Sequence, residues 1–135
     1  MSSYTWTLLV INFLQTRRVP ILPVLPVRDG QDQPRDDFTH DLQQYKGFGH
    51  ENKESLGELF FNFFRRYGLE IDYETAVVSV RKGRLLTKEE KGWVLVSNNR
   101  LCVEEPFNTD RNLGNTADDT AFRGCILSCG KPSLE

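Results

Sequence analysis

Apolar residues fill positions 4 to 14 almost without a gap: Tyr4, Trp6, Leu8, Leu9, Val10, Ile11, Phe13 and Leu14 leave no polar face. Ser2 or Ser3 can cap the start of such a segment, and Arg17 and Arg18 follow it, where cations suit a helix C-terminus. The pattern predicts a helix buried on every side. It is too short to cross a bilayer, which takes about 20 residues, and its arginines follow the apolar run, whereas a signal peptide places its charge before. A helix apolar all round with little chain ahead of it also predicts a covering layer supplied from elsewhere. From Val19 to Pro26 prolines alternate with branched residues, which predicts an extended surface strap. Residues 27–52 are polar and glycine-punctuated and read as a flexible loop that Phe38, Leu42, Tyr45 and Phe48 can pin at intervals.

Ser55 opens the clearest helix. Ser55 and Glu58 have the form of a capping box, and Leu56, Leu59, Phe60, Phe63, Phe64 and Tyr67 share one face, with Glu58, Asn62, Arg65 and Arg66 opposite. The stripe reads as core, and Gly68 as the helix end. Tyr73 to Arg81 reads as a strand through Val77, Val78 and Val80, turned at Lys82-Gly83 into Arg84-Leu85-Leu86. Thr87 and Glu90 form a second capping box, for a single helical turn bearing Lys88 and Lys91. Trp93–Val96 and Arg100–Val103 flank Ser97-Asn98-Asn99 as a hairpin. The sum is a mainly helical α+β fold with a small β-hairpin.

The stretch from Cys102 to Arg123 organises the rest. Leu101, Cys102 and Val103 end a strand and deliver Glu104 and Glu105 at a fixed exit, since Pro106 holds Glu105 extended and stops the strand. Phe107 reads as an apolar anchor, followed by the polar run Asn108 to Asn112 and by Gly114, which permits a turn. Thr116 and Asp119 have capping-box form and predict a helix from Ala117. After Arg123, two glycines and Pro132 predict that this helix does not continue. A polar loop tethered at both ends can read a small polar ligand. On residue types alone, a surface connection is the plainer reading.

Composition narrows the chemistry. At 135 residues with a net charge of -2, the chain is one domain by length and carries no basic excess that would announce nucleic acid binding by bulk charge. Three cysteines, Cys102, Cys125 and Cys129, are too few for a disulfide scaffold and point to a reducing, intracellular compartment. Phosphoryl transfer needs metal ions held by convergent carboxylates. Asp36-Asp37 and Asp118-Asp119 are adjacent pairs without a third ligand, and read as solvated or capping groups. Cys125 and Cys129 with His40 or His50 fit no common zinc-finger spacing. No P-loop, Gly-x-Ser-x-Gly or His-Glu-x-x-His segment is present.

Five separated motifs nevertheless occur in one order. Ser2-Ser3-Tyr4 leads into Leu8-Leu9-Val10-Ile11; Glu54-Ser55-Leu56-Gly57-Glu58-Leu59 precedes Phe63-Phe64; then come Val77 to Arg81, Lys88-x-x-Lys91-Gly92-Trp93, and Glu104-Glu105-Pro106-Phe107-Asn108 with Asn112-x-Gly114-Asn115-Thr116. Together they resemble the PAP-associated domain of the template-independent RNA terminal nucleotidyltransferases, the group of poly(A) polymerases and terminal uridylyltransferases. The resemblance spans residues 2 to 123.

The resemblance implies the central-domain part of a nucleotidyltransferase over residues 1–123, with 124–135 a divergent tail. It implies recognition of ATP or UTP, action on an RNA 3′ end, Mg²⁺ or Mn²⁺ in the full-length enzyme with none bound by this chain, no membrane, and a place in cytoplasm or nucleus. Chemistry would fall to an absent catalytic domain, leaving the isolated chain inactive. Tyr4 falls where the family stacks an aromatic ring on the base, and Ser3 where a hydroxyl meets the triphosphate. Glu105 falls where a carboxylate meets the base edge, and Asn108 and Arg111 where the choice of base is tuned. Uridylyltransferases of the group often carry histidine at the position of Arg111, so its absence leans toward ATP or mixed use. The alternative is a non-catalytic interaction module or a truncated gene product.

Overall fold

The computed structural model describes residues 1–25, 42–93, 101–114 and 119–130. The hairpin turn at Ser97-Asn98-Asn99, the Asp36-Asp37 pair, His40, the Phe38 pin and the Thr116 capping box lie outside the described residues. Helix α1 spans Ser3–Gln15, capped by the Ser2 hydroxyl, which accepts from the Thr5 N–H. A short 3₁₀ turn covers Leu42–Tyr45. Helix α2 spans Leu56–Arg65 and opens on the Ser55/Glu58 capping box with both of its bonds made. It runs on as a π-helical turn over Arg66–Glu70. Strands β1 (Ala76–Ser79) and β2 (Arg84–Thr87) pair antiparallel, with Val77 opposite Leu86 and Ser79 opposite Arg84. Helix α3 is the single turn Lys88–Lys91, with the Thr87/Glu90 box at its start and Gly92 at φ 68° closing it. Helix α4 spans Asp119–Gly130. No described helix is long and apolar enough to cross a membrane.

The chain entering the polar loop runs beside β1 in parallel. The Val78 N–H donates to the Cys102 carbonyl and the Glu104 N–H to the Val78 carbonyl, each at 2.9 Å. Alternation along these segments separates two apolar layers. Val78 and Val103 face the main core with Leu8, Leu9, Phe13, Tyr67, Tyr73, Phe122 and Ile126, while Val77, Leu86 and Cys102 form a smaller cluster with Trp93.

Four expectations are corrected. Helix α1 is not buried all round: Tyr4 and Val10 are exposed, and Thr5, Asn12 and Gln15 are buried instead. The reason is that the Asn12 amide donates to the carbonyls of Ser79 and Arg84, and the Gln15 amide to those of Pro23 and Val80, so side-chain amides tie the helix to the turn of the hairpin. The α2 stripe is not all core. Tyr67 is fully buried, but Leu56 and Phe60 are 83% and 59% exposed, and Phe61, outside the stripe, is 62% exposed. Gly68 does not end the helix: it lies inside the π turn, where a Cβ would come within 2.8 Å of Leu127 Cδ2, so its lack of a side chain lets α4 approach. Finally, the helix entering Arg123 continues through Gly124 to Gly130. Burial of Phe122 and Ile126 outweighs the glycine cost of about 1 kcal/mol.

The chain after α1 bends instead of leaving it extended. Ile21 donates its N–H to the Leu14 carbonyl at 2.9 Å, folding the strap back on the end of α1. Arg17 does not lie in the last turn of α1; it forms a two-bond ion pair with Glu54 and, with Arg66, flanks the Phe13 ring at 5.0 and 5.1 Å.

Candidate functional site

The first turn of α1 and the polar loop meet at one place. The Tyr4 hydroxyl donates to Glu105 Oε1 at 2.9 Å. Glu105 is buried, and its Oε2 accepts from the backbone N–H groups of Phe107, at 3.1 Å, and Asn108. Charge on this carboxylate is therefore matched by backbone donors at the turn that Pro106 initiates. The loop closes on itself: the Glu105 N–H donates to the Arg111 carbonyl at 3.1 Å, and the Arg111 N–H to the Asn108 carbonyl at 3.0 Å.

Tyr4 is 43% exposed, with its hydroxyl held and part of its ring open to solvent. Partial burial, then the bond and charge of Glu105, push its phenol above the usual value, and the charge of Arg111 pulls the other way. Arg111 is thus close enough to be felt at Tyr4. Asn108 and Arg111 are both exposed. Ser3 is exposed on the turn before Tyr4, and its carbonyl accepts from the Thr7 hydroxyl at 2.8 Å. The structure therefore brings Tyr4, Glu105 and the Asn108 backbone together, ties Arg111 to them through its backbone with an exposed side chain, and leaves Ser3 exposed on the preceding turn position.

Phe107 is not the anchor expected for this loop, being 81% exposed. Anchoring comes from polar groups. Asn112 Oδ1 accepts from the N–H groups of Val103 and Gly114 at 3.0 and 2.9 Å, and Leu113 donates to the Val103 carbonyl at 2.9 Å. Gly114 lies in a turn, as expected, and serves close approach as well: a Cβ there would sit 2.0 Å from the Leu101 carbonyl oxygen.

Sequence reasoning paired the two carboxylates but did not separate their roles. Glu104 is fully buried and points the other way from Glu105 in its partners. Its Oε1 accepts from the Ser79 hydroxyl at 2.9 Å and Arg81 Nε at 3.0 Å, and its Oε2 from Arg81 Nη2 at 3.2 Å and Lys91 Nζ at 2.6 Å. Burial raises its carboxyl pKa, but the bonds from Arg81, Lys91 and Ser79 outweigh burial and hold it below the usual range. The available signal was alternation: adjacent strand residues face opposite sides, so Glu104 and Glu105 could not share one site. Among the described residues no group of three His, Cys, Asp or Glu side chains is placed to hold a metal ion.

Residues 55–111 match the family model PAP_assoc, described as Cid1 family poly A polymerase. The chain is 48% identical to the poly(A) RNA polymerase cid11 of Schizosaccharomyces pombe over 125 residues, which cover 92% of this chain and 26% of that protein. It is also 48% identical to poly(A) RNA polymerase cid13 of the same organism over 137 residues, covering 94% of this chain and 23% of that protein. A solved structure of Cid1 in complex with the UTP analogue UMPNPP superposes with a TM-score of 0.74 at 28% identity, over 96% of this chain and 44% of that one. The chain thus spans about a quarter of the length of these curated relatives.

Proposed function

Because the chain carries, over residues 55–111, the PAP-associated domain of the Cid1 family of poly(A) polymerases, we propose that it is the nucleotide-recognition module of an RNA 3′-terminal nucleotidyltransferase. Its partners are ATP or UTP, an RNA 3′ end, and a catalytic domain that performs the phosphoryl transfer. The observation that carries this reading is the bond between Tyr4 and Glu105, which fixes a part-open aromatic ring against a loop with polar groups at its lip. A ring held by its hydroxyl is a stacking platform for a base, and stacking is sequence-tolerant, so the loop residues do the selecting. Tyr4 takes the base face, Ser3 the triphosphate, and Glu105, Asn108 and Arg111 the base edge.

Among the described residues, the two carboxylates of the loop entrance do not fit a catalytic metal. The oxygens of Glu104 are engaged by Arg81, Lys91 and Ser79, and those of Glu105 by Tyr4 and two backbone amides. Neither carboxylate is free to ligate Mg²⁺ or Mn²⁺; our reading assigns the divalent ion of this family's chemistry to the catalytic domain and expects this chain alone to extend no RNA primer. The reading places the protein inside the cell, in cytoplasm or nucleus.

Saturation-transfer NMR, which detects weak binding, tests the proposal. With ATP or UTP, base protons receive magnetisation from the wild-type chain and none from Tyr4→Ala. Equal transfer in the two proteins overturns the reading. A second reading, a protein-interaction module, is favoured by the exposed Leu56, Phe60, Phe61 and Leu69. It predicts no nucleotide contact at Tyr4.

A further inference from the structure

Lys91 is a part-buried cation that the nucleotide reading leaves without a task. Its ammonium donates to Glu104 Oε2 and to the Thr109 carbonyl, each at 2.6 Å, and its side chain is 12% exposed. The Trp93 ring lies 4.8 Å from the same nitrogen. An ammonium has three donors and no acceptor, so these contacts leave it little freedom.

Neutralising Glu104 does not require Lys91. Arg81 already meets that carboxylate with two bonds from its planar fork, and the Ser79 hydroxyl adds a third. The second cation adds donors beyond those this carboxylate needs, so one of them can serve another group. It is used on Thr109. The other ties described for segment 108–111 run within the loop itself, through the Glu105 carboxylate and the Glu105–Arg111 backbone bond. Lys91 reaches it from α3, an element with its own capping box and glycine terminus. A continuous path therefore runs from Ser79 and Arg81 at the hairpin through Glu104 and Lys91 to the carbonyl next to Asn108.

We propose that Lys91, anchored by Glu104, is a positioning residue that fixes the segment Asn108–Arg111 against the hairpin and thereby sets which base the loop accepts. The proposal rests on the reading of this loop as the base reader. A lysine acting only as an ion-pair partner would affect stability throughout the molecule. A positioning lysine affects one segment and the balance between bases.

Backbone hydrogen exchange on the chain separates the two. In Lys91→Met the Asn108 and Arg111 amides exchange roughly tenfold faster or more, the loss of one ordering bond, while the Thr16 and Ile71 amides keep their rates. Lys91→Arg, which keeps the charge and the donors, returns the loop toward its original rate. The ratio of UTP to ATP saturation transfer moves toward one in Lys91→Met and recovers in Lys91→Arg. Uniform acceleration across the core, an unchanged loop, or an unchanged nucleotide ratio each overturns the proposal. Should Lys91→Met not fold, Glu104→Gln keeps the side-chain shape while loosening the ammonium, and makes the same prediction. A wild-type chain that gives no transfer with either nucleotide strikes at the functional reading instead, and the exchange rates still decide whether Lys91 tethers the loop.

Discussion

The hydroxyl of Tyr4 donates to the carboxylate of Glu105 at 2.9 Å, across 101 positions of sequence. This bond couples the first turn of α1 to the polar loop, so neither can move without the other losing a partner. Tyr4→Phe keeps the ring and loses the bond, at about 0.5–1.5 kcal/mol of stability, whereas Tyr4→Ala also loses a stacking surface worth about 1–3 kcal/mol per base. Nucleotide affinity should therefore fall modestly in the first variant and roughly ten- to hundredfold in the second. Equal losses would show that the bond, not the ring, matters.

Acid should act through Glu104. Its carboxyl titrates below the ordinary 4.5, so on acidification the unfolded chain takes up a proton first. The stability this group contributes is complete above that value and is lost as pH falls through the folded-state pKa. Glu54, bonded by Arg17 and Asn52, adds in the same direction. Urea midpoints between pH 7 and pH 3 should decline for the wild type below about 4.5, with a shallower decline in Glu104→Gln from a lower starting value. Parallel curves would remove Glu104 from the acid response.

Local rules carried much of this fold. Both capping boxes, at Ser55/Glu58 and Thr87/Glu90, and the turn at Gly83 form where residue spacing places them. Helix α1 defeats hydropathy because its buried Asn12 and Gln15 satisfy carbonyls 65 to 72 residues away, a gain no local window contains. The end of α2 and the length of α4 both turn on packing between the two helices, with Phe122 and Ile126 buried on one side. Gly68 admits Leu127 at close range, so a glycine that reads as a stop is a packing contact. At the loop, Pro106 announced a fixed exit, but that Glu105 faces Tyr4 while Glu104 faces Lys91 emerges only once β1 is laid beside Val103.

The most exposed apolar groups belong to α2 and its π turn, although Tyr4 and Val10 of the first helix are exposed too. Leu56, Phe60 and Phe61 stand out, with Leu69 66% exposed one turn beyond the helix. Exposed apolar groups in this number drive association. The chain should self-associate with rising concentration, and Phe61→Glu should reduce this with a stability change of no more than about 0.5 kcal/mol. Light scattering and a thermal melt of both proteins measure the two effects; a monomeric wild type at high concentration would contradict the assignment.

Gly114 gives a sharper stability test. A Cβ there would lie 2.0 Å from the Leu101 oxygen and 2.7 Å from its carbonyl carbon, both backbone atoms that cannot swing aside. Gly114→Ala should cost about 1–3 kcal/mol or more by overpacking, and should break the Asn112 contact that pins the loop. Gly124→Ala, where a Cβ meets nothing within 4 Å, is the control and should be neutral or stabilising. Similar urea midpoints for the two variants would refute the role of Gly114.

Arg111 decides the last prediction. Its guanidinium offers donors only, and it stands on the loop whose Glu105 carboxylate holds Tyr4. Uracil presents carbonyl oxygens that can accept from such a donor, whereas the adenine amino group needs an acceptor, which Glu105 or Asn108 can supply. The side chain is long and exposed, however, and a flexible donor in water selects weakly, because it can reach solvent at no cost. Histidine is shorter and stiffer, so Arg111→His should place a donor at one distance and shift the ratio of ATP to UTP use toward UTP. Glu105→Ala should lower the rate with both nucleotides by about 1–3 kcal/mol, since it removes the carboxylate that holds Tyr4 and the loop amides together. Both variants are compared with wild type as kcat/KM for ATP and UTP after joining the chain to a catalytic domain of its family. An unchanged ratio in Arg111→His takes that residue out of base selection, and an unchanged rate in Glu105→Ala removes the loop from the site.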